Sequence, residues 1–109
     1  MTKLIKCISP IDGSVYAERP ALSIEAAKAV VASAKAAQKA WAGRPLAERI
    51  ELVQAGVAEL GKMNDQIVPE IAHMMGRPVR YGGEFGGVEE RASGMAAIAV
   101  KALEPIVVE

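Results

Sequence analysis

The hydrophobic positions change their period part-way along the chain. Leu4-Ile5-Lys6-Cys7-Ile8 and Ser14-Val15-Tyr16-Ala17 are β-prone runs on either side of Ser9-Pro10-Ile11-Asp12-Gly13. The proline and the Asp-Gly pair supply turn geometry, so the spacing predicts a β-hairpin within residues 4–22. Two strands alone are marginal in water and must lie on something else. From Ser23 onward the period becomes helical. Ser23 reads as an N-cap with Glu25 in the first turn, where the helix dipole favours an acid. Ala27, Val30, Val31, Ala34, Ala37 and Trp41 form one stripe, with Glu25, Lys28, Lys35 and Lys39 on the other side. Gly43 ends that helix, and Pro45 opens a second at a position where its missing N–H costs nothing. Leu46, Ile50, Val53, Val57 and Leu60 carry the second helix to about Lys62.

Asn64 is expected to cap a third helix that stops at Met75, before Gly76 and Pro78. Pro69 falls inside it, where a proline removes a hydrogen bond and clashes with the preceding turn. Either 64–68 is a separate turn and Pro69 starts the helix, or the helix is kinked. A fourth helix is predicted over about Gly83 to Leu103, its start weakened by Gly82, Gly83, Gly86 and Gly87. Ile106-Val107-Val108 reads as the beginning of a strand, so residues 104–109 are expected to be an element cut in mid-course. The fold class is therefore mainly α with a small N-terminal β-hairpin: residues 4–22 for the hairpin and 23–103 for about four helices.

Composition sharpens this picture in one respect. With glycine counted, the apolar fraction stands well above the ~45–50% of ordinary domains, although a chain of 109 residues has a high surface-to-volume ratio and should be more polar than average. Much of the excess is alanine, which suits close helix packing. The remainder implies apolar faces that belong against further protein. The 13 basic and 13 acidic residues cancel and are dispersed, which gives no electrostatic reason to invoke nucleic acid or an anionic membrane. No run approaches the ~18 apolar residues of a membrane span. The first residues carry no signal-peptide hydrophobic region. The single cysteine excludes an internal disulfide and fits a reducing compartment, so the cytoplasm is the expected location.

The residues that carry chemistry elsewhere are sparse. Cys7 has no neighbour in sequence that would favour its thiolate, and a strand position suits a packed thiol. His73 has no second histidine or cysteine at metal-ligand spacing. Gly82, Gly83, Gly86 and Gly87 match neither a dinucleotide nor a Walker fingerprint, and no clear strand precedes them. Glu84, Glu89, Glu90 and Arg91 read as a solvated helix face, and Met74 and Met75 as core filler at a helix end. By residue chemistry alone there is no active site: no catalytic and no cofactor-binding residue.

The order of ordinary pieces is more informative. Ile8-Ser9-Pro10-Ile11-Asp12-Gly13 resembles the "(V/I)-(N/S)-P-x-(D/T)-G" hairpin near the start of aldehyde dehydrogenases. An Ala-rich helix follows, ending Ala36-Ala37-Gln38-Lys39-Ala40-Trp41, then Pro45-Leu46-Ala47-Glu48-Arg49, similar to that family's "P-x-x-x-R" helix start. Met75-Gly76-Arg77-Pro78 is similar to its "x-G-(K/R)-P" helix end, and a long Glu-bearing helix comes next. Met74-Met75 and Pro69 depart from the pattern, since the family usually places a glutamate before the Gly-(Lys/Arg)-Pro and runs an unbroken helix through the proline position.

The resemblance implies that residues 1–109 are the amino-terminal part of the dinucleotide-binding domain of an α/β aldehyde dehydrogenase, a helical layer within a longer parent chain. Such enzymes oxidise an aldehyde to a carboxylic acid through a cysteine thiohemiacetal, pass hydride to NAD or NADP, and hydrolyse the thioester with a glutamate base. In that family those residues lie beyond position 109, and Cys7 is not the nucleophile. No cofactor is expected for this chain alone. Some members hold a monovalent cation with a backbone carbonyl before the hairpin proline and a carboxylate at the start of the fourth helix. Ile8 and Glu84 are the matching positions. The implied partners are the remainder of the dehydrogenase chain and further copies in a homo-oligomer, with neither nucleic acid nor membrane. The competing reading is a free-standing helical interaction or oligomerisation module without enzymatic activity. A different branch of the same superfamily, acylating or acyl-phosphate-reducing, shares the same amino-terminal layer.

Overall fold

A computed structural model of the chain describes residues 3–108. β1 (Leu4–Ile8) and β2 (Val15–Pro20) pair antiparallel, followed by α1 (Ile24–Ala42), α2 (Leu46–Lys62), α3 (Asn64–Met75), a 3₁₀ turn at Val79–Tyr81 and α4 (Phe85–Ala102). The hairpin turn is built from short polar side chains bonding their own backbone. The Ser9 N–H donates to the Ser14 carbonyl at 2.8 Å and the Gly13 N–H to the Ser9 carbonyl at 2.9 Å. Asp12 accepts from both the N–H and the hydroxyl of Ser14, at 3.0 and 2.7 Å. Gly13 takes φ 74°, a left-handed backbone open to glycine at no steric cost. Cross-strand partners run from Leu4 opposite Pro20 to Cys7 opposite Ala17, after which Ile8 faces Val15. Tyr16 is thus the extra residue of a β-bulge, a device that re-aims a side chain.

The helices begin and end largely where local chemistry places them. Ser23 caps α1, its hydroxyl accepting from the Ala26 N–H at 3.1 Å, and Gly43 closes it. Pro45 stands at the N-cap of α2, one place earlier than an N1 proline. Asn64 is the first helical residue of α3 and not its cap. That position falls to Met63, whose N–H bonds the end of α2 at Leu60 while its carbonyl accepts from Gln66 and Ile67, so the chain passes between helices with no extended residue to act as a polar cap. α3 runs through Pro69 as one helix, which excludes the separate turn over 64–68. Gly76 ends α3 at φ 76°, the left-handed closing residue. α4 starts at Phe85, later than the glycine-weakened start at Gly83, because Gly82 holds φ 68° and breaks the path. Ile106–Val108 forms no strand within residues 3–108, since no other segment offers it a ladder; Glu109 lies outside the described residues.

Packing is concentrated in three places. α2 and α4 lie antiparallel: Leu46 and Ile50 face Ala96 and Ala99 at one end, and Gly61 meets the Phe85 ring at the other. The start of α3 closes against the start of α4, with Asn64 and Val68 beside Gly83. The hairpin rests on the last turn of α3. Among the described residues only Ala72 and Ser9 are buried. α1 contributes just two half-buried side chains, Ala26 and Trp41, and its remaining length is exposed. Ala-rich stripes let helices approach closely, but here only one such pair is formed.

Candidate functional site

The densest group of chemistry-bearing side chains lies where the hairpin meets α3. The bulge at Tyr16 turns its ring flat onto His73, centroids 4.9 Å apart and planes 4° from parallel. Cys7, half-buried on β1, donates its S–H to the Met74 carbonyl at 3.8 Å. That contact packs the thiol against the last turn of α3. Asp12 is held below the usual carboxylate range by the Ser14 backbone N–H, then by the Ser14 hydroxyl, with a smaller contribution from His73. A cleft of about 360 Å³ opens between these elements, lined by Ile5, Cys7 and Met74 with Lys6, Arg19 and Glu70. Met74 and Met75, expected as core filler, are exposed, because nothing covers that turn of α3. Within residues 3–108 no three His, Cys, Asp or Glu side chains gather to hold a metal ion.

The connection from α3 to α4 is clasped by charge. Arg77 pairs with Glu84, the residue at the N-cap of α4, across the 3₁₀ turn. Ile8, the other position matched to a cation, closes β1 ahead of the turn serines. A monovalent cation at Glu84 would compete with the Arg77 guanidinium for the same carboxylate. Glu89 and Glu90 are exposed on α4. Among the glycines before and within the first turn of α4, Gly83 has a packing role. A Cβ at Gly83 would come to 2.7 Å from Asn64 Oδ1, so that glycine admits the start of α3. A 3₁₀ turn, and not a strand, precedes it.

What the chain presents on the largest scale is apolar surface. Val30 and Val31 on α1, Met95 and Ile98 on α4, and Ile106 and Val107 beyond it are all more than half exposed. Val31 sits with Ile24, Ala27 and Ala32 between Lys28 and Lys35 along one side of α1. The sequence model of the aldehyde dehydrogenase family matches residues 1–103. The chain belongs to the aldehyde dehydrogenase family. No solved structure matches it.

The described residues of this aldehyde dehydrogenase family chain leave extended apolar helix faces exposed. Gly61 and Gly83 serve helix contacts, since a Cβ there would meet the Phe85 ring or Asn64. No helix among the described residues is long and apolar enough to cross a membrane. Three features of this dehydrogenase segment escaped the sequence reading. The Arg44–Glu48 pair was available as an i,i+4 match of opposite charges. The Arg77–Glu84 clasp and the Tyr16–His73 stack join residues brought together only by folding, and carry no local signal.

Proposed function

We propose that this chain is the amino-terminal helical layer of an NAD(P)-dependent aldehyde dehydrogenase, one that oxidises an aldehyde to a carboxylic acid with catalytic and cofactor residues outside residues 1–109. The observation that carries the reading is uncovered surface. The chain exposes 8965 Å², whereas a compact monomer of this mass exposes about 5,800 Å². Apolar side chains line much of that excess, and in this reading the remainder of the dehydrogenase covers them. The nicotinamide cofactor would accept the hydride there. The residues of this segment would position that domain and exclude water from its outer face.

Complementation tests this directly. The chain is mixed with an aldehyde dehydrogenase polypeptide lacking the corresponding segment. The expected result is a co-eluting complex with NAD(P)-linked aldehyde oxidation, neither component being active alone. Tight, saturable NAD binding by the isolated chain in calorimetry, or failure to assemble, would count against the reading.

The exposed stripe of α1 favours one alternative, a free-standing helical module that self-associates without enzymatic activity. A cooperatively melting oligomer of defined size, formed without the complementing polypeptide, would support that alternative. Under the dehydrogenase reading the parent is a cytoplasmic homo-oligomer binding neither nucleic acid nor membrane. Its Ile8 carbonyl and Glu84 carboxylate would share a monovalent cation, with Arg77 released. Replacing sodium and potassium by choline in the assembled enzyme would then lower its melting temperature, and Glu84→Gln would abolish the difference.

A further inference from the structure

We draw no further inference here: the strongest candidate, the cleft of about 360 Å³ between the hairpin and the last turns of α3, carries nothing, because its chemistry rests on the single half-buried thiol of Cys7 and no second feature of the cleft points to a ligand.

Discussion

Asp12 shows how much one exposed side chain does in this fold. It accepts two bonds from Ser14 and faces His73, and these contacts depress its folded pKa below 3.8. A depressed carboxylate stabilises the fold above its unfolded pKa and loses that contribution as pH falls through the folded value. The hairpin should therefore keep its hydrogen-exchange protection from neutral pH down to about pH 4 and lose it progressively below. Asp12→Asn, which does not titrate, should flatten that acid-side change; an unaltered profile would place the acid sensitivity elsewhere. Tyr16 tests the other side of the contact. Its parallel stack on His73 is worth about 0.5–1.5 kcal/mol by analogy with aromatic pairs. Tyr16→Ala should lower the exchange protection of β1 and β2 and leave that of α2 and α4 unchanged. The Asp-Gly turn containing Asp12 was legible in the sequence because Asx geometry is local. The stack was not, because it depends on a bulge and on the docking of distant elements.

At the scale of elements, what was legible is what the backbone decides locally. Ser23 and Gly76 mark helix ends through their own preferences, the one by its capping hydroxyl and the other by its left-handed backbone, whereas Gly43 closes α1 in right-handed geometry. The failures fall where a neighbouring element overrides preference. Asn64 lost its role as a cap because α2 runs directly into α3, and the start of α4 shifted because Gly82 turns the chain left-handed. Pro69 is the clearest conflict, a proline kept inside a continuous helix where it removes the bond its N–H would give to Asp65. Pro69→Ala should raise the melting temperature by restoring that bond, corresponding to about 1–3 kcal/mol, and a lower value would mean that the proline ring packs productively. Two glycines of α2 make a matched pair. Nothing lies near a Cβ added at Gly56, so Gly56→Ala should stabilise by about 0.5–1 kcal/mol through helix propensity alone. At Gly61 the same Cβ would stand 2.6 Å from the Phe85 ring. Displacing that ring costs about 1–3 kcal/mol, which exceeds the propensity gain, so Gly61→Ala should destabilise. Thermal melts of both variants check the contrast, and equal shifts would show that Phe85 moves freely.

For the whole molecule the decisive quantity is surface left in water. The radius of gyration is 19.0 Å, against about 13 Å for a compact chain of this length. An unfolded chain of this mass exposes about 16,700 Å², so the 8965 Å² retained in the fold means that roughly seven-tenths of the usual burial is achieved. The apolar excess visible in the composition pointed to this shortfall, but not to where it falls. Periodicity marks which face of a helix is apolar without saying what lies against it, and α1 and α4 display their stripes to solvent. Heat capacity measures the shortfall directly, since it follows apolar exposure on unfolding. A compact domain of this length would show about 1.3–1.6 kcal/mol/K. The isolated chain should show about 1.0 kcal/mol/K or less, with dye-accessible hydrophobic surface before melting. Binding the complementing dehydrogenase polypeptide should remove the dye signal as the exposed faces are covered. A full-size heat-capacity change in a monomer would show that the apolar faces close on one another, and would remove the argument that they belong against the rest of a dehydrogenase.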